Sequence, residues 1–171
     1  MLFSGLPFLY YFLPAVLVCY FAAPRKLKNA VLFVFSLIFY GWGEPRYIML
    51  MIVSIVSGFV FALMIEKKQN KKSGLILMWI SVAISLSFLL VFKYADFLIE
   101  NVNQLPGVSL PLSKLSLPIG ISFYTFQIIS YTVDVWRGDT KAQRNIISFG
   151  TYVSLFPQLI AGPIVRYTDI E

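Results

Sequence analysis

The sequence predicts an all-α integral membrane protein of about six transmembrane helices with its N-terminus outside, and three observations carry that prediction. The 171 residues are 58% hydrophobic and only 13% charged, against about a quarter charged in an average soluble domain. The apolar residues gather in six runs, most of them about long enough to cross a hydrocarbon core of roughly 30 Å. The basic residues alternate between the connections. Loops after the first, third and fifth runs hold Arg25, Lys26 and Lys28, then Lys67, Lys68, Lys71 and Lys72, then Arg137, Lys141 and Arg144, ten of the 14. That is the positive-inside pattern of a chain that starts outside. It also accounts for the net charge of +6 without nucleic acid, because the cations lie in short loops between apolar runs.

The first run, residues 6–23, is roughly 27 Å long as a helix. No Lys or Arg precedes it, so it lacks the positive start of a secretory signal peptide and is expected to stay in the membrane. Cys19, the single cysteine, permits no intrachain disulfide and is expected to be a small buried apolar residue. The second run, 29–42, is short at roughly 21 Å, but Lys28 can snorkel at one end and Trp42 can sit at the interface. In the turn that follows, Pro45 suits the first position of the third helix, with Glu44 facing that helix's positive end.

The third run covers 47–65 and the fourth 75–92. Beyond it Tyr94, Phe97, Leu98 and Asn101 recur at helical spacing among charges, which predicts a short surface helix after the fourth span; the same pattern also fits an extension of that span. Pro, Gly and Ser make 105–116 a loop. Pro118 opens the fifth run, which reaches about Trp136. The sixth, 145–165, is expected to be broken, since Pro157 removes a backbone hydrogen bond and Gly162 and Pro163 interrupt it again. A simple kink would carry Arg166 to the outer interface, whereas a re-entrant element beside a polar cavity would hold it inside. No repeat or linker divides residues 1–171, which read as one membrane domain.

Function is sought where polar groups enter hydrocarbon, because they persist there only when they face other helices or a wet cavity. Gly120, Tyr124, Gln127, Tyr131 and Asp134 fall at intervals of 4, 3, 4 and 3, one stripe of a helix. Tyr124, Gln127, Tyr131, Asp134, Gln158 and Arg166 are therefore the candidate cavity-lining residues. The plainer alternative is interhelical hydrogen bonding, with an Asp134–Arg137 ion pair at the interface. On the first reading, further helices outside these 171 residues shelter the polar atoms. No metal-ligand spacing or phosphate-binding glycine loop is present, and the absence of histidine leaves no nucleophile–histidine pair.

The strings LPIGISFYTFQIISYTVDVWRG and FPQLIAGPIVRYTDI resemble the membrane-bound O-acyltransferase family, in its bacterial branch of alginate O-acetylation and D-alanyl transfer proteins. The opening MLFSGLPFLYYFLP, FYGWGEPRY and LVFKYADFLIEN are similar to that branch too, so the likeness spans the chain. It implies a multi-pass enzyme of the bacterial inner membrane, with helices ringed around a pore thinned from both faces. Such an enzyme moves an acyl group, typically acetyl, from a cytoplasmic thioester donor to an extracytoplasmic polysaccharide. The implied partners are membrane lipid, the remaining C-terminal spans and a polysaccharide-modification partner, with no bound cofactor. The family's catalytic histidine lies later than any string matched here. The resemblance thus implies an N-terminal fragment, inactive alone. A non-enzymatic polytopic protein, such as a transporter half or an assembly partner, is the alternative, because broken helices with polar groups also mark transport sites.

The topology is tested by reporter fusions: one after Lys72 is expected to read as cytoplasmic and one after Pro106 as extracytoplasmic, and the reverse pair would overturn it.

Overall fold

The computed structural model describes residues 6–69, 71–103, 111, 117–161 and 165–169, with the side chains of 160 and 161 excepted. Among them every regular element is helical. A π-helical turn, Phe8–Phe12, runs into α1 (Leu13–Ala22), and a 3-10 turn at Arg25–Leu27 leads to α2 (Lys28–Gly43). Then follow α3 (Ile48–Lys67), α4 (Lys72–Val102), α5 (Ile121–Arg137), α6 (Ile146–Ser154), α7 (Phe156–Ala161) and a 3-10 turn at Tyr167–Asp169. Two of these, α3 and α4, are long and apolar enough to cross a membrane, and Phe8–Ala22 and Ile146–Leu159 are shorter apolar helices.

The core forms around α3 and α5, which pack on each other, with α4 beside both and α6 against α3. Met51, Ile55, Gly58, Ala62 and Ile65 make the buried stripe of α3 at intervals of four and three, as one helical face requires. A Cβ on Gly58 would lie 2.7 Å from Ile128 Cγ2, so the missing side chain is what lets α5 approach. On the far side α2 joins α6, and α1 rests on α2. Phe8, Phe12, Phe39 and Phe156 lock that corner, with ring centroids 5.5 to 5.8 Å apart. The outer face of α1 is exposed, Cys19 included, contrary to the buried position expected for that thiol. That face is apolar and has few packing partners, a surface of the kind that lipid covers.

The connections sort to two ends. At one, Asn29 Nδ2 donates to Ser148 Oγ (3.1 Å), Thr151 Oγ1 donates to the Asn29 carbonyl (2.9 Å), and Gln69 Nε2 donates to the Val135 carbonyl (3.3 Å). Glu66 accepts there from the Ala142 N–H (3.2 Å) and pairs with Arg144. The three loops that hold ten of the basic residues thus gather at a single end. At the other, Tyr47 packs on Phe92, and a Cβ on Gly120 would press on Leu159.

Three expectations are corrected. The fourth helix continues unbroken for 31 residues in place of a separate surface helix, since nothing between Phe92 and Val102 is a helix breaker. At about 46 Å it exceeds a bilayer core, and its buried stripe stops at Leu89. Pro45 does not open α3, which starts at Ile48; it sits second in a turn closed by the Tyr47 N–H donating to the Glu44 carbonyl (3.1 Å), a position its fixed φ suits. The sixth run breaks at Leu155 (ψ 112°), two residues before Pro157, because a proline is tolerated in a helix's first turn and α7 begins one residue ahead of it. The loop at 105–116 apart from Pro111, and the expected break at Gly162–Pro163, lie outside the described residues.

The chain then turns back. Tyr152 Oη donates to the Val165 carbonyl (3.0 Å), and Gln143 Nε2 donates to Tyr167 Oη (2.6 Å). Residues 165–169 therefore lie back beside Tyr152 and the loop before α6, so the sixth run folds back on itself rather than continuing past a simple kink.

Gly120 caps α5 at φ +75°, and a Cβ there would sit 2.7 Å from Leu159 Cγ. Gly120→Ala is expected to cost about 2 kcal/mol from the left-handed backbone and the overpacking, read as a fall in the unfolding midpoint of the full-length protein in detergent. Gly41→Ala, which meets only the flexible tip of Ile48 at 3.1 Å inside a helix, is expected to be neutral or stabilising.

Candidate functional site

The segment that folds back borders an open pocket of about 240 Å³ at the basic end of the bundle, where polar side chains share the lining with Leu32 and Leu155. Asn29 supplies one wall from the start of α2, Gln143 another from the loop before α6, and Thr151 and Tyr152 a third from α6 itself. Gln158 of α7 and Tyr167 of the final 3-10 turn stand on its remaining side.

Its shape follows from local hydrogen bonds. Asn145 is the N-cap of α6, its Oδ1 accepting from the Ile147 N–H at 2.9 Å, as a short polar side chain before an apolar run is suited to do. Gln143 is held three ways: its N–H donates to Tyr131 Oη (2.7 Å), its Oε1 accepts from the Asn145 N–H (3.0 Å), and its Nε2 reaches Tyr167. The rings of Tyr131, Tyr152 and Tyr167 form a cluster with centroids 4.9 and 5.2 Å apart. At the break itself the Phe156 N–H donates to Ser36 Oγ (3.4 Å), a partner from α2 for an amide the broken helix leaves free.

The structure distributes the six sequence-predicted residues unevenly. Gln158 lines the cavity, and the Tyr131 hydroxyl stands behind its wall. Asp134 is only 7% exposed and lies within electrostatic reach of Tyr152 and Arg166. Its Oδ2 has no hydrogen-bond partner among the described residues, and it makes no ion pair with Arg137. The expected interfacial pair is thus absent, because Asp134 points to the packed side of α5 whereas Arg137 is exposed. Arg166 does not line the cavity: although the chain turns back, its side chain is exposed rather than held inside as expected. Tyr124 and Gln127 sit apart from the cavity. Tyr124 is wholly buried against Tyr40 of α2, and Gln127 is 3% exposed.

The expectation that absent helices shelter these atoms fails for Tyr124, Gln127, Tyr131 and Asp134, which the helices present already seal. Asn29, Gln143, Thr151, Tyr152 and Tyr167 were not singled out from the sequence. The loop holding Gln143 read only as an orientation signal, and no spacing rule announces that 165–169 comes back.

Amides, phenols and the hydroxyls of Ser148 and Thr151 can orient a neutral polar group by hydrogen bonding, and buried donors of this kind can stabilise developing negative charge. They supply no general base. No group of three His, Cys, Asp or Glu residues able to hold a metal is found among the described residues.

A bundle of apolar helices with a polar pocket at one end is the kind of structure a membrane protein has, and comparison with known proteins gives this chain its relatives. The chain matches no protein-family profile and no solved structure. Over 99% of its length it is 38% identical to the probable alginate O-acetylase AlgI of Pseudomonas aeruginosa and, again over 99%, 38% identical to that of Azotobacter vinelandii. It is 29% identical, also over 99% of its length, to the peptidoglycan O-acetyltransferase of Helicobacter pylori. It covers 34%, 35% and 38% of these three proteins, so it spans about a third of the length of the curated relatives it matches.

Glu66 anchors the cavity's outer loop by two bonds of unequal worth. Arg144 is 66% exposed, so Arg144→Ala is expected to cost under about 1 kcal/mol. Glu66→Ala also strands the N–H of buried Ala142 and is expected to cost about 1–3 kcal/mol, with denaturant midpoints of the full-length variants as the measure.

Proposed function

We propose that this chain is the N-terminal part of an inner-membrane O-acyltransferase that transfers an acyl group, acetyl by analogy with its relatives, from a thioester donor to a hydroxyl of an extracytoplasmic polysaccharide. The observation that carries the reading is the polar pocket bordered by the segment that folds back, at the basic, and hence cytoplasmic, end of the bundle. A cavity there is open to a donor from the cytoplasm. Its amide and hydroxyl groups would hold the donor and fix the thioester carbonyl, a positioning role for which Gln143, Tyr152, Gln158 and Tyr167 are the residues to test.

The remaining step needs a base. Removing the proton from the acceptor hydroxyl as its oxygen attacks the thioester carbon suits a histidine, and the chain contains none. In this reading the histidine comes from later spans of the same protein, together with the wall on the acceptor side, and the 171 residues alone are inactive. Six crossings give way to five plus a re-entrant element, with the N-terminus outside and one membrane domain shared with those later spans. A separate polysaccharide-modification partner would receive or present the acceptor.

The experiment is transfer of labelled acetyl to cell-surface polysaccharide by the full-length protein. Gln158→Ala is expected to lower the rate about tenfold or more, the effect of one lost polar contact to the reacting complex, at unchanged abundance in the membrane. Transfer that persists at the full rate would remove the cavity from the reaction, and no transfer to any surface glycan by the unaltered protein would remove the activity.

A further inference from the structure

Away from that cavity, on the outer surface of the bundle, the first half of α4 and the last half of α5 leave a furrow between them. Its body, about 390 Å³, is lined by Met78, Trp79 and Val82 of α4 and by Ile129 and Val133 of α5. Its mouth, at the basic end, is a second depression of about 460 Å³ formed by Lys71, Lys72, Leu75, Trp136 and Arg137. Leu75, Trp136 and Arg137 belong to both, so the two are one continuous groove, apolar along its length and cationic at its opening. None of Lys71, Lys72 and Arg137 has a carboxylate within ion-pair distance among the described residues, where Glu66–Arg144 is the pair formed. Trp79 is 61% exposed on the groove's flank.

Each half of this groove asks for something the other half excludes. A soluble anion would satisfy three cations and leave the apolar furrow empty. A helix of the same chain would fill the furrow and leave the cations opposite it without a counter-charge. A zwitterionic lipid brings its own ammonium to the same place as its phosphate. An amphiphile with net negative charge at one end and a hydrocarbon chain at the other matches both, and a volume of this size is in the range of single-ligand sites, roughly 300–1,000 Å³. Trp136, where the two parts meet, is suited to the level of the headgroups.

We propose that the groove between α4 and α5 is a binding site for one anionic phospholipid of the leaflet at the basic end, its phosphate held by Lys71, Lys72 and Arg137 and an acyl chain lying along Met78, Val82, Ile129 and Val133. The inference does not rest on acyl transfer; it needs only that the chain lies in a membrane.

The test is native mass spectrometry of the full-length protein released from nanodiscs of phosphatidylglycerol, or of phosphatidylcholine, with spin-labelled phosphatidylglycerol as a solution readout. One phosphatidylglycerol is expected to stay bound where phosphatidylcholine does not. In K71Q/K72Q/R137Q retention should fall about tenfold or more, on the scale of three basic residues at a membrane surface. K67Q/K68Q neutralises two lysines of the same loop outside the groove and should retain the lipid, which separates a site from a general loss of positive charge. Met78→Trp fills the furrow without touching the cations and should also release the lipid. Equal retention of both lipids, equal losses in the two charge variants, displacement by soluble glycerol phosphate, or retention unchanged in Met78→Trp would each overturn the proposal. So would a groove closed to lipid in the full-length protein, seen as no contact between the spin label and a nitroxide-quenched probe at Ile129→Cys in a chain whose Cys19 is replaced by Ser.

Discussion

The structure depends on one constraint, that backbone amides and carbonyls freed inside an apolar layer must find partners within the protein. The sixth run stops being helical at Leu155, and the groups released there and beyond are met by side chains from elsewhere. Ser36 accepts the Phe156 N–H, and Tyr152 donates to the Val165 carbonyl. Those two bonds tie α2 and α6 to the segments on either side of α7. Without them the chain would gain by straightening, and neither the return of 165–169 nor the cavity it borders would form. The aromatic corner of Phe8, Phe12, Phe39 and Phe156 supports the same place from outside, so the least regular part of the backbone has some of the densest ring packing.

Much of the fold was legible because hydrophobic length and charge placement act locally. The runs at 29–42 and 47–65 fall within a few residues of α2 and α3, and the three basic loops do meet at one end. The stripe of Tyr124, Gln127, Tyr131 and Asp134 is buried throughout, as its spacing required. What periodicity could not reveal is which neighbour a stripe faces. Tyr124 looks toward Tyr40 and Gln158 toward Asn29, separations set by packing far along the chain. Spacing alone also left one choice open: Tyr94, Phe97, Leu98 and Asn101 among charges fitted a surface helix or an extension of the fourth span, and α4 runs straight through them because no Pro or Gly interrupts it.

The site and the relatives point the same way by different routes. Its walls are hydrogen-bonding groups without a base, and the chain is about a third as long as the O-acetylases it resembles. A division of labour follows for the proposed enzyme, with this part shaping and holding while later spans carry proton transfer. Asp134 is the residue least explained by that division. Buried beside Tyr152 and within reach of Arg166, with one oxygen lacking a partner among the described residues, it borders the cavity without lining it.

The length of α4 has a mechanical consequence. Its packed stripe ends at Leu89, and the turns from there to Val102 rise about 20 Å further as one stiff rod. Anchored at its base by α3 and α5, that rod works as a mast, carrying its own tip well clear of the packed helices. Removing whole turns beyond the Tyr47–Phe92 contact would draw the tip back by about 5 Å each time.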